Sequence, residues 1–182
     1  MDNIANQATL LYNNMTTNSN TVTTQILSLY DLTATKEALL DTYTPNQTIT
    51  YVTRVENTGS ASLYNLTVVD DLAKGLTQYV DNSVEGYLNG TPIEVNVQIT
   101  NNAVIFTIDN VINPNDNVLI IFETTTPTTR PDVLTNTQTI TANGGSTTGP
   151  IVAVTPNPSA SVKLANYVSL DITKSANKAS IY

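Results

Sequence analysis

The chain has 182 residues, the size of one domain or of one domain with extended arms. It contains no Cys and no His, which excludes disulfides, thiolate nucleophiles, imidazole bases and zinc fingers. A net charge of −8 with only seven basic residues leaves no electrostatic footprint for nucleic acid or for anionic lipid. No apolar run approaches the roughly 20 residues of a membrane span.

Thr and Asn dominate the composition, with 32 and 23 residues respectively. Thr favours strands, and Asn favours turns and their left-handed positions. Only 12% of residues are charged, which argues against ordinary solvated helices, whereas 40% are apolar, too many for a disordered chain. The composition therefore predicts a folded protein rich in strands.

Alternating apolar and polar residues predict six strands separated by turns of Asn, Gly and Pro. In chain order these strands are Gln47–Val55, Leu63–Asp70, Pro92–Ile99, Ala103–Asp109, Asn117–Thr126 and Val133–Ala142. Strands that recur about every 8–12 residues are typical of a β-sandwich. The one helix-like stretch, Lys36–Thr42, is short and lacks a clear cap, so almost no helix is expected.

Two short motifs occur twice in the chain. Asn6–Leu10 resembles Asn136–Ile140, and Leu32–Lys36 resembles Leu170–Lys174. Such repetition predicts one whole domain flanked by pieces of two others. The predicted units are an N-terminal arm of closing strands at 1–28, a complete domain at 29–144, a linker or extra strand at 145–165, and a C-terminal arm with an opening strand at 166–182. For 145–165, which is rich in Pro, Ser and Thr, a partly extended linker is favoured.

The middle segment also resembles a known family in three places. Tyr51–Gly59 is similar to a "YTVTVTNTG" strand and turn, Leu66–Leu76 to a "VTVTDTLPAGL" segment in which Ala73 takes the place of Pro, and Leu134–Ile140 to a closing "TNTATV". These motifs are those of a bacterial conserved-repeat surface domain, catalogued as domain of unknown function eleven. The resemblance implies an all-β, immunoglobulin-like β-sandwich with extended N- and C-terminal arms. It also implies a structural or adhesive role without enzymatic activity.

Side-chain parity places three polar residues on predicted core faces. Lys36 follows Leu32 and Ala34 on one face, Asp70 ends the face of Leu66 and Val68, and Asn136 shares a face with Leu134 and Ile140. The first and last strands of such sandwiches commonly lie side by side, which would bring Lys36 close to Asn136.

These three residue types suit an intramolecular isopeptide bond. Burial favours the neutral forms of Lys and Asp, so a neutral amine would stand beside a carboxamide polarised by an acid. The similarity to fimbrial domains of Gram-positive bacteria invites the same assignment for Lys36, Asp70 and Asn136. Alternatively, Lys36 extends to solvent while Asp70 and Asn136 satisfy turn and edge hydrogen bonds.

The arms show the same parity, with Leu170 and Ile172 preceding Lys174, and Ile4 and Ala8 flanking Asn6. A strand without partners is a template for pairing with another chain. We therefore expect an intersubunit junction at Asn6, Leu170, Ile172 and Lys174, which would build a non-closing filament. Alternatively, the ends are accidental boundaries of a piece cut from a longer repeat protein.

Together these patterns predict a structural subunit that assembles head to tail by strand exchange into a filament on a bacterial cell or spore surface. The start, Met1–Gln7, shows no Sec signal, which suits a spore appendage made inside the mother cell. The alternative function is an adhesin or stalk module of a wall-anchored protein. The expected partners are further copies of the chain, with any host ligand unidentified and with no nucleic acid, membrane span, cofactor or metal. No nucleophile–base pair or phosphate loop supports an enzyme.

Overall fold

The computed structural model describes residues 2–26 and 29–166, whose regular secondary structure is almost entirely strand. The strands, in chain order, are β1 Asp2–Asn6, β2 Thr9–Tyr12, β3 Met15–Asn18, β4 Val22–Ile26, β5 Leu32–Ala38, β6 Thr42–Tyr43, β7 Thr48–Asn57, β8 Leu63–Asp70, β9 Gln78–Tyr79, β10 Glu85–Leu88, β11 Thr91–Ile93, β12 Asn96–Ile99, β13 Val104–Ile108, β14 Asn117–Thr125, β15 Val133–Gly144, β16 Ile151–Ala153 and β17 Ser159–Leu164. A single helical turn, α1 Leu72–Gly75, interrupts them. The predicted all-β sandwich is confirmed.

Two sheets form the sandwich. One has the order β11-β10-β14-β7-β5, with β9 also paired to β14. The other has the order β12-β13-β8-β15-β17-β6, with β16 also paired to β15. Alternate residues of the central strands turn inward, as in β14, where burial alternates along its whole length. The core between the sheets includes Phe106 and Phe122, whose rings lie 5.0 Å apart.

Three local expectations from the sequence need correction. The predicted strand Pro92–Ile99 is two strands, β11 and β12, which lie at the edges of different sheets. The helix-like stretch Lys36–Thr42 forms no helix, and Lys36 continues strand β5, as its shared face with Leu32 and Ala34 predicts. For 145–165, where the sequence predicts a linker or an extra strand and favours the linker, the structure has strands β16 and β17, both paired to β15. The long β15 offers a free side to these strands, so the segment folds back onto it.

Asn residues occupy most of the left-handed turn positions in the described part of the chain. Ten non-glycine residues there have positive φ, and seven of them are Asn. The short amide side chain can hydrogen-bond to the local backbone, so Asn tolerates this region better than other residues do. The Asn content therefore serves the turns that a sandwich of many short strands requires.

The N-terminal arm is a hairpin. Strand β1 pairs with β4, and β2 pairs with β3 across a turn at Asn13 and Asn14, both with positive φ. The strands of this arm are thus paired with each other, which corrects the expectation of an unpaired strand. The pairing leaves Leu10, Tyr12 and Met15 on one face, each more than 60% exposed.

Candidate functional site

Lys36 projects from β5 into the sandwich core, where its side chain is fully buried. Its ammonium contacts the carboxylate of Asp70. The same nitrogen lies over two aromatic rings, 4.7 Å from the centroid of Tyr51 and 5.4 Å from that of Phe122. The alternative interpretation of the sequence, in which Lys36 extends to solvent, is therefore wrong.

The surroundings of Lys36 oppose its positive charge. Burial lowers the pKa of Lys36 from its ordinary value, although the nearby carboxylates of Asp70 and Asp71 act in the opposite direction. A lysine with a lowered pKa releases its proton more readily than one in water, and only the neutral amine is a nucleophile.

Asp70 ends β8 and is fully buried. Its Oδ2 atom accepts from Lys36 and, at 3.0 Å, from the Gln138 side chain, while its Oδ1 atom accepts from the backbone N–H of Leu72 at 3.0 Å. The Leu72 donor is held in place by α1, where Leu72, Ala73 and Lys74 all have positive φ. Left-handed backbone costs about 1–2 kcal/mol for each such residue. This strained conformation directs the Leu72 N–H toward the Asp70 carboxylate.

Asn136 lies on β15 with its side chain fully buried. Neither its carboxamide oxygen nor its nitrogen has a hydrogen-bond partner. Gln138 lies directly opposite Asp70 in the register of β15 and β8. Asn136 is two residues from Gln138 on the same face of β15, so the positions of Asn136 and Asp70 differ by about 7 Å along the strand direction. The inward faces of β7 and β15 are joined by the hydrogen bond from Thr53 to Gln138 at 2.9 Å. Tyr51 and Asn136 each lie two residues from that bond, on the same inward faces.

The strand arrangement around Lys36 and Asn136 differs from the predicted one. Strand β5 pairs with β7, whereas β15 pairs with β8 and β17. The two residues therefore enter the core from different sheets and do not lie on neighbouring strands. Strand β17, which the sequence did not clearly indicate, occupies the position beside β15.

Two further polar residues of this site were missed from the sequence. Gln138 accepts a hydrogen bond from the Thr53 hydroxyl at 2.9 Å and so connects β7 to Asp70. Tyr51 is fully buried and its hydroxyl has no partner. The signal was available, because Gln138 continues the inward parity of Asn136 and Tyr51 lies within the same alternation as Ile49.

Burial raises the pKa of Tyr51 to about 12; Asn136 acts to lower it, and the carboxylates of Asp70 and Asp71 raise it. The hydroxyl is therefore protonated at any physiological pH and is available as a donor. The buried cluster combines a lysine amine, a carboxylate, a carboxamide and a phenol. Such a set is capable of acyl transfer from the carboxamide to the amine.

The other predicted site residues lie elsewhere. Asn6 is exposed on the N-terminal hairpin, opposite Val22. Leu170, Ile172 and Lys174 lie outside the described residues. Among residues 2–26 and 29–166, no group of three or more acidic side chains is placed to hold a metal, and no helix is long and apolar enough to cross a membrane.

A surface groove of about 480 Å³ lies away from the buried cluster, between Tyr79, Asp81, Val97 and Ile99. Its lining combines the polar side chains of Asp81 and Asn82 with apolar residues, and Asp81 is the one charged residue in it. The residues that line this groove do not include a nucleophile beside a base, so the groove does not have the composition of a catalytic site.

No protein-family model matches the sequence, and no curated protein matches it. The resemblance to the conserved-repeat domain therefore stays a prediction.

Solved structures, in contrast, include many with the same fold. The major pilin subunit of Bacillus cereus is 12% identical, with a TM-score of 0.53, over 87% of this chain and 47% of the pilin. The full-length major pilin SpaD of Corynebacterium diphtheriae is 15% identical, with a TM-score of 0.55, over 71% of this chain and 33% of the pilin. The pilus backbone protein RrgB of Streptococcus pneumoniae is 10% identical, with a TM-score of 0.51, over 63% and 31%. The described chain thus has the fold of an immunoglobulin-like pilin domain and spans less than half the length of each of these pilins.

Proposed function

We propose that this chain is a structural subunit of a bacterial surface filament, in which an amide bond between Lys36 and Asn136 cross-links the two sheets. The observation that carries the proposal is the buried cluster of Lys36, Asp70 and an Asn136 carboxamide without partners. Unpaired buried amides cost free energy and are rare in native proteins. Their presence beside a buried lysine is explained if the carboxamide is a reactant.

The reaction balances with the groups that are present. Lys36 passes one ammonium proton to Asp70 and becomes a neutral amine. Its Nζ then attacks Cγ of Asn136, the Cγ–Nδ2 bond breaks, and a second Nζ proton goes to Nδ2, which leaves as ammonia. The third proton stays on the new amide nitrogen. In a chain with no Cys, this bond would constrain the fold as a disulfide does elsewhere.

The intact mass of the purified chain tests this cross-link. We expect a mass lower than the sequence mass by one ammonia, and the full sequence mass for Lys36→Met and Asn136→Ala. A wild-type chain with the full sequence mass would overturn the cross-link. Loss of water in place of ammonia would also overturn it, because Asp70 would then be the acyl partner. Asn143→Ala, on the same strand, is the matched control and should retain the lower mass.

The N-terminal hairpin supports assembly from copies of the same chain. Asp2 is the one charged residue in 1–28, and Leu10, Tyr12 and Met15 are exposed on one face. An isolated two-stranded hairpin is marginally stable in water, so burial against another subunit would stabilise it. We infer that arms containing Asn6 in one copy and Leu170, Ile172 and Lys174 in the next exchange strands, which builds the filament head to tail.

Negative-stain microscopy at increasing protein concentration tests assembly. We expect fibres from the full chain and their loss on deletion of residues 1–20, while the intact mass still shows the cross-link. A chain that stays monomeric at high concentration would contradict filament formation and leave the adhesin or stalk alternative. Antibody labelling of vegetative cells and spores then distinguishes the two surfaces.

A further inference from the structure

Two neighbouring groups in the buried cluster lack hydrogen-bond partners. The hydroxyl of Tyr51 and both polar atoms of the Asn136 carboxamide are buried and unpaired. Each would ordinarily be paired or exposed to water. The strands that carry them are joined close by, because Thr53, two residues from Tyr51 on the inward face of β7, donates to Gln138 at 2.9 Å. Gln138 in turn lies two residues from Asn136 on the inward face of β15.

The Tyr51 ring is held by its surroundings. It stacks on Phe122 with centroids 5.6 Å apart and planes inclined by 24°. Lys36 Nζ lies 4.7 Å from the ring centroid. The nucleophile is thus above the ring that carries the unpaired hydroxyl.

The acid of the cluster is already engaged. Asp70 accepts from Lys36 and Gln138 at one oxygen and from the Leu72 N–H at the other. As Lys36 attacks, negative charge develops on the Asn136 carbonyl oxygen, and this charge requires a donor. Asp70 by then carries the proton from Lys36, and its two oxygens still accept from Gln138 and from the Leu72 N–H. The Tyr51 hydroxyl, in contrast, is a protonated group without any partner.

We propose that Tyr51 is a catalytic residue, whose hydroxyl donates a hydrogen bond to Oδ1 of Asn136 and stabilises the oxyanion of the tetrahedral intermediate. The proposal rests on the cross-link under Proposed function. The oxyanion forms when the Lys36 electron pair adds to Cγ, and it collapses to the amide carbonyl as ammonia leaves. Tyr51 keeps its proton throughout, so the balance of the reaction does not change. Its alignment with the carbonyl improves during attack, as is common for catalytic hydrogen bonds that are poorly aligned before the reaction.

Tyr51→Phe removes the hydroxyl and retains the ring with its contacts to Phe122 and Lys36. Tyr79→Phe is a matched control, because Tyr79 also has a buried hydroxyl without a partner and packs against Phe106. The chain is made by pulse-labelled cell-free synthesis and quenched in acid denaturant at set times. The fraction that has lost ammonia is then read from the intact mass.

We expect Tyr51→Phe to cross-link about 100-fold more slowly than the wild type, the usual effect of removing one oxyanion donor. Tyr79→Phe should react at the wild-type rate. Circular dichroism and protease resistance confirm that both variants are folded, so a slow rate is not due to unfolding. Tyr51→Phe that reacts at the wild-type rate would overturn the role of Tyr51 and leave the cross-link intact. Failure of the wild type to lose ammonia would overturn the cross-link itself.

Discussion

Replacing Asn136 with Ala measures how much the proposed cross-link stabilises the sandwich. Lys36 and Asn136 are separated by about 100 residues, and closing a loop of that length stabilises a protein by about 4.7 kcal/mol in the chain-entropy description. The substitution leaves the contact between Lys36 and Asp70 in place and removes an amide that has no partner. We therefore expect the free energy of unfolding to fall by about 4–5 kcal/mol.

Guanidinium chloride unfolding, followed by circular dichroism, gives this free energy from the midpoint and slope. The decisive comparison repeats Asn136→Ala in a Lys36→Met background, where the cross-link cannot form. There the substitution should cost almost nothing, so the two changes are strongly non-additive. Equal costs in both backgrounds, or a cost below about 1 kcal/mol in the wild type, would refute the covalent explanation.

Three further predictions follow from the geometry. In Asp70→Asn the new side chain cannot accept a proton, and the Lys36 ammonium stays buried without the Asp70 carboxylate. The intact mass should therefore equal the sequence mass of the variant, and the free energy of unfolding in denaturant should fall by at least about 3–5 kcal/mol. A cross-linked Asp70→Asn chain would contradict the role of the acid. Because burial lowers the pKa of Lys36, with Asp70 and Asp71 as the facing carboxylates, the neutral amine accumulates as pH rises toward that lowered value. The rate of ammonia loss in pulse-labelled synthesis should therefore increase with pH, and a flat or falling rate would argue against a neutral nucleophile. Lys74 has a φ of 61° and is exposed, so Lys74→Gly should stabilise the fold by about 1 kcal/mol and raise the melting temperature. The control Lys74→Ala removes the same charge without relieving the left-handed backbone and should not stabilise the fold. Equal shifts in melting temperature for the two variants would exclude backbone strain as the cause.

Period-2 alternation was sufficient to predict the sandwich and the inward direction of its polar residues. It correctly predicted Lys36, Asp70 and Asn136 as core-facing, because parity along a strand is a local property. It could not predict pairing, which depends on contacts far apart in the chain. Strand β17 lies in a segment with Pro156 and Pro158 nearby, and this composition favoured a linker, although β15 pairs with it along five residues.

The rest of the candidate site was missed for a different reason. Gln138 and Tyr51 share the inward parity of their neighbours, but so do many other residues of these strands, and their importance comes from what surrounds them in space. Gln138 is significant because it contacts Asp70, and Tyr51 because Lys36 lies over its ring and its hydroxyl is buried without a partner. The N-terminal hairpin, in contrast, had a local signal in Asn13-Asn14, a pair suited to a tight hairpin turn.

A tryptic map of the denatured protein tests the central claim most directly. Trypsin cleaves after Lys36 only if its ε-amine is free, and the sequence contains no Lys or Arg before it. The account predicts that peptide 1–36 is absent, and that a peptide ending at Arg54 is joined to the one containing Asn136 with the loss of one ammonia. Recovery of free peptide 1–36 in full yield from the folded wild-type chain would contradict it.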